Sequence, residues 1–196
     1  GGCITYDGEK FCSNPKASIR AGIGFVPEDR RGQGFIPLLS TTRNVALTNY
    51  DIIRKKGAAI DRHDELDMAK RAIVKMDIRP SDPAKPVGLM SGGNQQKVVL
   101  GKWLMRDLKL LIVDEPTAGI DVGAKDEIYN ILEDLAKSGV AVILVTSDLQ
   151  ELIRVSHRIL VMRKGSIVKE FDSGNVTQSD VLEAASGLVE KEDSAS

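Results

Sequence analysis

At residues 110–116 the sequence reads Leu-Leu-Ile-Val-Asp-Glu-Pro. Four apolar residues make a strand-sized run, which ends abruptly in two carboxylates. At the carboxyl edge of a parallel sheet, such a strand delivers its last side chains into the ligand crevice. Asp114 can hold a hydrated Mg²⁺ there, and Glu115 can orient or deprotonate a water molecule. Taken alone, the segment is equally consistent with a solvated strand end that carries two acidic residues.

The segments around this strand alternate between helix and strand. The pattern predicts helices over residues 91–105 and 124–137 and a strand over 140–146. A further short apolar run, residues 23–26, ends at Pro27, as a buried strand does where it opens into a loop. Alternation of this kind is typical of a parallel sheet with helical crossovers. The expected fold class is therefore α/β.

Two antiparallel hairpins are predicted near the ends of the chain. The first turns at Asp7-Gly8 between short alternating runs, and the second turns at Lys164-Gly165. An Asp-Gly pair in this setting is a strong local signal for a tight hairpin turn. A short helix over residues 178–185 follows the second hairpin.

Residues 41–90 have a different texture, with charged helical stretches in place of strands. In the clearest helix, residues 64–77, an apolar stripe recurs at spacings of three and four. The stripe consists of Leu66, Ala69, Ile73 and Met76. We therefore expect an inserted helical unit. The predicted division of the chain is one domain over residues 1–187, a helical subdomain within it at about 32–105, and a disordered tail at 188–196.

Composition excludes several classes of protein. A chain of 196 residues is too short for a large multidomain architecture at roughly 150 residues per domain. Its 27 Lys and Arg against 28 Asp and Glu give a net charge of −1. The chain as a whole therefore has no positive electrostatic field that would attract nucleic acid or acidic lipid. No apolar stretch is long enough to cross a membrane. The two cysteines favour a reduced, cytoplasmic setting. The chain opens with Gly1 rather than Met, and we expect it to be part of a longer protein.

The predicted helix at residues 91–105 opens with Ser91, Gly92, Gly93 and Asn94. A helix start with a serine and two glycines leaves backbone N–H groups open to a phosphate, which the helix dipole also favours. By itself it is more simply an ordinary helix start. About twenty residues before the acidic strand, however, this segment resembles the signature sequence of ATP-binding-cassette (ABC) proteins, and the acidic strand resembles their Walker B motif.

The resemblance extends over nearly the whole chain. Asp121 lies at the position of the D-loop, where the family contacts the partner cassette, and Glu28, in Pro27-Glu28-Asp29-Arg30, lies at the position of the Q-loop glutamine. In detail the motifs are similar to those of the second cassette of two-cassette ATPases that power bacterial import of ribose, galactose and related monosaccharides, or of nucleosides. The implied fold is the ABC-type P-loop NTPase fold.

Three departures from the family pattern affect the implied site. The phosphate loop Gly-x-x-x-x-Gly-Lys-Ser/Thr is absent from these 196 residues, and we expect it upstream of Gly1. Ser147 stands where most cassettes have the switch histidine, and a serine cannot carry a positive charge. Glu28 adds a negative charge near the expected metal. We therefore expect little nucleotide binding or turnover by the isolated chain.

The resemblance implies ATP and Mg²⁺ as cofactors, with Asp114 at the metal, Glu115 as the catalytic residue and Ser147 near the γ-phosphate. The implied partners are the first cassette of the full-length chain, transmembrane permease subunits and, through the complex, a periplasmic or lipoprotein solute-binding protein. The implied location is peripheral, on the cytoplasmic face of the inner membrane. Two alternatives remain open: a non-transport ABC ATPase that acts on nucleic acid or ribosomes, which the net charge disfavours, and a regulatory cassette that only presents its signature. His157 is expected at the surface and Trp103 in the core.

Overall fold

The computed structural model describes residues 3–11, 14–54 and 60–187. The chain divides into two compact units, Gly1–Val145 and Thr146–Ser196. Among the described residues, no helix combines the length and apolar character that a membrane span requires. The tail predicted at residues 188–196 lies outside the described part of the chain.

The first unit is built on a parallel sheet of three strands. The strands are β3 (Ile23–Val26), β4 (Leu110–Asp114) and β5 (Ala141–Val145), in the order β3-β4-β5. The register aligns Val26 with Val113 and Asp114 with Val145. Each strand lies where the apolar runs predicted it, so the α/β class with a parallel sheet is confirmed.

Both hairpins also form as predicted. In the first unit β1 (Ile4–Tyr6) pairs antiparallel with β2 (Glu9–Phe11). In the second unit β6 (Arg158–Arg163) pairs antiparallel with β7 (Ser166–Asp172). The two turn residues of each hairpin have positive φ, 50° and 81° in the first and 48° and 82° in the second. This conformation matches the right-handed twist of the flanking strands.

The described part of the first unit also contains five α-helices. They are α1 (Pro15–Arg20), α2 (Thr41–Ala46), α3 (Arg62–Lys75), α4 (Gly92–Leu104) and α5 (Val122–Lys137). Helix α3 starts two residues before the predicted helix because Asp61 caps its first turn, and it ends two residues earlier, ahead of Asp77 with φ of 45°. The loop expected after Pro27 runs into a π-helical turn, Arg30–Gly34.

Helix α4 occupies the centre of the first unit. Along it, Val98, Val99 and Leu100 are fully buried. A Cβ on Gly24 would lie 2.9 Å from Leu111 Cδ1 and 3.1 Å from Trp103 Cδ2, so the absence of a side chain there lets α4 approach β3. Trp103 is a core residue, as predicted.

The second unit packs two helices against its hairpin. They are α6 (Leu149–Val155) and α7 (Gln178–Ser186). Ile159, Val161 and Val181 form its buried core. Helix α7 was predicted, whereas α6 was not, because seven residues provide too little periodicity to distinguish a helix.

Candidate functional site

The predicted signature residues form the first turn of α4. Ser91 has the backbone conformation of an N-cap residue, but its side chain accepts no amide of the helix. Instead Asn94 Nδ2 donates to Ser91 Oγ at 3.0 Å, and Asn94 Oδ1 accepts from the backbone N–H of Arg79 at 2.6 Å. Both polar groups of Asn94 are therefore used within the chain. The Ser91 oxygen accepts this bond and keeps its own proton for donation to another group.

The other α-helices of the described chain differ from α4 at this end. In each of them the N-cap side chain accepts a backbone N–H from the first turn. The amides that open α4 have no such partner, and the positive end of the helix dipole lies with them. A helix of 13 residues that starts this way is suited to a phosphate or another anion.

Close packing requires both glycines of the signature turn. A Cβ on Gly93 would lie 2.6 Å from the Cβ of Ala124 on α5. A Cβ on Gly92 would lie 2.9 Å from Arg30 Nη2 and 3.2 Å from the carbonyl oxygen of Gly119. The same glycines that open the amides to an anion therefore bring α4 close to α5 and to the turn before it.

Asp114 and Glu115 lie at the carboxyl end of β4, as predicted, and both are half-buried. Glu115 has φ of 42°, a left-handed conformation that costs a non-glycine residue of the order of 1–3 kcal/mol and is enriched at active sites. Its backbone N–H donates to the carbonyl of Val145 at 2.8 Å, which fixes it at the end of the paired strands.

The carboxylates suit Mg²⁺ that shares its coordination with phosphate and water. Within the described ranges, no three His, Cys, Asp or Glu side chains form a metal cage. Mg²⁺ does not need one, because it commonly binds one or two carboxylates together with substrate phosphates and retained waters. Asp114 and its neighbour at the sheet edge provide such a donor set.

Asp121 caps α5. Its Oδ1 accepts the N–H of Ala124 at 3.0 Å, and the side chain is exposed. Just before it, Gly119 has φ of 65°, a conformation that favours glycine. The predicted D-loop aspartate therefore has a structural role in addition to any contact with a partner.

Glu28 is exposed and lies two residues after the end of β3. Two residues later, Arg30 donates from Nη1 to the carbonyl of Ala118 at 2.5 Å and from Nη2 to the carbonyl of Gly119 at 3.3 Å. Burial and the neighbouring Arg31 lower the pKa of the Arg30 guanidinium. Arg30 thus connects the loop that carries Glu28 to the turn before Asp121, and reasoning from the sequence did not single it out.

Two buried lysines of α4 also escaped the sequence analysis. Lys97 Nζ donates to the carbonyl of Asp77 at 2.9 Å and lies 2.7 Å from a Glu127 carboxylate oxygen. Lys102 Nζ donates to the carbonyl of Gly34, and burial lowers the pKa of its ammonium to about 8. In sequence, the Gly101-Lys102 pair does not match a phosphate loop, because Trp103 follows it where that motif has Ser or Thr.

Ser147 belongs to the second unit. It is exposed and precedes Asp148, which caps α6 by accepting the N–H of Glu151 at 3.2 Å. His157 is exposed as well.

Within the first unit, Arg30 brings together the loop that carries Glu28, the signature turn and the turn before Asp121. That last turn is linked to the end of β4, because the Ala118 N–H donates to the carbonyl of Glu115 at 3.1 Å.

Comparison with curated proteins finds sugar importers. The ribose import ATP-binding protein RbsA of Hahella chejuensis is 40% identical over 190 residues, which cover 96% of this chain and 38% of that protein. The arabinose import ATP-binding protein AraG of Pseudomonas savastanoi pv. phaseolicola is 42% identical over 185 residues, covering 94% and 36%. The chain thus spans little more than a third of the length of these relatives.

Solved structures share the fold. The chain matches cbiO1 from Clostridium perfringens, part of the ABC transporter complex cbiONQ, with a TM-score of 0.72 at 23% identity over 96% of this chain and 72% of that one. It also matches a dimeric ATP-binding cassette bound to ADP and Pi, with a TM-score of 0.70 at 24% identity over 86% and 72%. These likenesses confirm the P-loop fold expected from the sequence. The ABC transporter model matches residues 1–118 of the 196, and the chain therefore belongs to the ABC transporter family.

Proposed function

We propose that this chain is part of the ATP-binding and ATP-hydrolysing subunit of a bacterial importer of monosaccharides. The observation that carries the proposal is the identity of about 40% to ribose and arabinose import ATP-binding proteins over nearly the whole chain. The uncapped start of α4 supports it, because this is the local structure that binds a phosphate.

We propose further that the chain is the second of two cassettes. In a head-to-tail pair, Ser91, Gly92 and Gly93 complete the nucleotide site of the first cassette, and Asp121 contacts that cassette. The 196 residues contain no phosphate loop of their own, so the chain by itself should bind Mg-ATP weakly and turn it over little. Submicromolar binding in a calorimetric titration of the isolated chain would contradict this part of the proposal.

The second nucleotide site takes its acidic residues from this chain. Asp114 would hold Mg²⁺, which would neutralise charge that develops on the phosphates. Glu115 orients the attacking water and accepts its proton. Ser147 offers one hydrogen bond to the γ-phosphate but no positive charge, so stabilisation of the transition state at this site is weak. This site is accordingly proposed to be the less active of the two.

We propose permease subunits in the membrane as the partners of the exposed Glu28 loop. Two exposed leucines later in the chain support a protein partner for this unit, since Leu38 is 90% and Leu89 is 70% exposed. The two segments that carry these leucines are bonded, with the Gly88 N–H donating to the Pro37 carbonyl at 2.9 Å. The proposed assembly is peripheral on the cytoplasmic face of the inner membrane and receives its solute from a binding protein outside.

Two other functions would use the same machinery. A nucleoside importer differs only in subunits that this chain does not contain. An ABC ATPase acting on nucleic acid or ribosomes would need a basic surface, and the net charge of −1 disfavours it.

The decisive experiment is reconstitution of the complete protein with its permease and binding protein in proteoliposomes. ATPase rates are measured with a panel of pentoses, hexoses and nucleosides. Stimulation by a monosaccharide supports the proposal. Stimulation by nucleosides alone would mean that the importer carries nucleosides and not monosaccharides. Salt-sensitive binding of RNA or DNA without any solute response would favour the non-transport function.

A further inference from the structure

Arg30 reaches across the first unit to two consecutive backbone carbonyls. Its Nη1 donates to Ala118 at 2.5 Å and its Nη2 donates to Gly119 at 3.3 Å. These acceptors lie in the turn that leads from the end of β4 to the cap of α5. The planar guanidinium can engage two acceptors at once, which a lysine ammonium does with much less geometric definition.

The same guanidinium lies against the signature turn. A Cβ at position 92 would lie 2.9 Å from Arg30 Nη2, so any side chain larger than that of glycine would displace Arg30 or the turn. Arg30 is therefore in contact with both segments that the proposed function places at the partner cassette, the signature turn and the turn before Asp121.

The backbone that carries Arg30 is held at both ends of its π-helical turn. Asp29 Oδ1 accepts the Gly32 N–H at 2.9 Å, and the Phe35 N–H donates to the Arg30 carbonyl at 3.1 Å. At the far end, Lys102 of α4 donates to the Gly34 carbonyl. The Arg30 N–H also donates to the Glu28 carbonyl at 2.9 Å, so the backbone ties Glu28 to this turn.

The surroundings of Arg30 are not those of a contact that mainly stabilises the fold. The acceptors of its Nη1 and Nη2 are neutral backbone carbonyls, and its Nε is buried without a hydrogen-bond acceptor among the described residues. Burial lowers the pKa of the guanidinium, which means that the environment disfavours the charge. An apolar side chain of similar length would avoid both costs.

We propose that Arg30 is a positioning residue that joins the Glu28 loop to the signature turn and to the turn before Asp121. This inference rests on the proposed function, in which Glu28 faces the permease and those two turns face the first cassette. Arg30 itself need not touch nucleotide. Its role is to keep the donors of the signature turn and the partner-facing aspartate in one geometry.

The test compares Arg30→Met, Arg30→Lys and the control Arg31→Met, since Arg31 is the exposed neighbour. The variants are made in the complete protein with its permease, and kcat, KM for ATP, melting temperature and hydrogen exchange of the amides at 118–123 are measured. For Arg30→Met we expect kcat to fall by about 10- to 100-fold, as misplaced catalytic groups do, with KM within about 2-fold. Exchange at 118–123 should rise, and Arg30→Lys should restore part of kcat. Arg31→Met should match the parent.

The proposal is overturned if Arg30→Met retains parental kcat and exchange, if the loss of kcat follows a matching fall in melting temperature, or if Arg31→Met loses as much. Should Arg30→Met fail to fold, Arg30→Lys decides by the same readouts. Failure of the proposed function would show differently: the parent protein would respond to no solute, while hydrogen exchange at 118–123 would still report whether Arg30 holds the turn.

Discussion

The Cβ of Ala124 lies 2.6 Å from the position that a Cβ would take on Gly93, so α4 and α5 meet at a point with no room for a second methyl group. Gly93 does not have a left-handed backbone conformation, so its φ does not require glycine. The close approach of the two helices does. The position has a packing role in addition to the opening of amides that its place in the signature suggests. A charged substitution at Gly93 would therefore disturb the fold before it could report on phosphate.

Gly93→Ala should lower the free energy of unfolding by about 1–3 kcal/mol, because an added methyl group overpacks the contact between the helices. The second change Ala124→Gly should recover most of the loss by making room. Chemical denaturation of the two single variants and the double variant gives the coupling between the positions. The control is Gly123→Ala, whose Cβ would lie 3.7 Å from its nearest neighbour, Asp121 Oδ1. If the changes in the free energy of unfolding at positions 93 and 124 simply added in the double variant, the contact would be contradicted.

Ser91→Ala should reduce ATP turnover of the complete importer by about 10²- to 10³-fold, because it removes a donor from the more active of the two proposed nucleotide sites. Glu115→Gln should cost much less, since the site to which we assign it is the one proposed to be less active. Asn94 also loses its acceptor in Ser91→Ala, so Ser91→Thr, which keeps the hydroxyl, is the matched control. An inactive Glu115→Gln beside a nearly normal Ser91→Ala would contradict the proposed asymmetry.

Local chemistry explains which parts of the fold were predictable. The turns at Asp7-Gly8 and Lys164-Gly165 need positive φ, which their own residues provide, and both hairpins form as predicted. The apolar stripe of α3 was only partly correct. Ala69, Ile73 and Met76 are buried but Leu66 is half-buried, because the buried face of α3 begins at Glu65 and Met68 and Leu66 lies to one side of it.

The contacts that connect the site were not predictable in this way. Arg30 bonds carbonyls 88 and 89 residues away, and backbone acceptors have no sequence identity that a pattern could reveal. Lys102 is likewise bonded to a backbone carbonyl 68 residues distant. Motif resemblance located Ser91, Asp114, Glu115 and Asp121, whereas the links among their segments required the tertiary structure.

Substitutions at Asp121 should separate its cap from a contact with the partner cassette. Asp121→Ala removes the acceptor of the Ala124 N–H and should cost about 1 kcal/mol of stability. Asp121→Asn keeps a capping oxygen and loses only the charge, so its melting temperature should stay near that of the parent. If the carboxylate contacts the partner, Asp121→Asn should still lower ATP turnover of the complete protein. Normal turnover in this variant would mean that Asp121 acts only as the cap of α5.

Glu28→Ala should weaken coupling to transport more than it affects folding. The side chain is exposed, and substitutions at such positions usually change stability by less than about 0.5 kcal/mol. Solute-stimulated ATPase activity and melting temperature are measured together, with the exposed Glu183→Ala as a control in the second unit. If stimulation fell only in proportion to folded protein, the Glu28 loop would have a purely structural role.

Lys102 should make stability depend on pH in the alkaline range. Burial lowers the pKa of its ammonium from 10.5 to about 8, so between these values the unfolded chain binds a proton that the folded chain has released. The free energy of unfolding therefore rises with pH across this window, by up to about 3 kcal/mol for this group. Because other groups titrate there too, the quantity to measure is the difference between the parent and Lys102→Met in urea unfolding from pH 7 to pH 10. We expect the free energy of unfolding of the parent to increase relative to that of Lys102→Met as the pH rises. A difference that stays constant would mean that the Lys102 ammonium keeps its ordinary pKa in the folded protein.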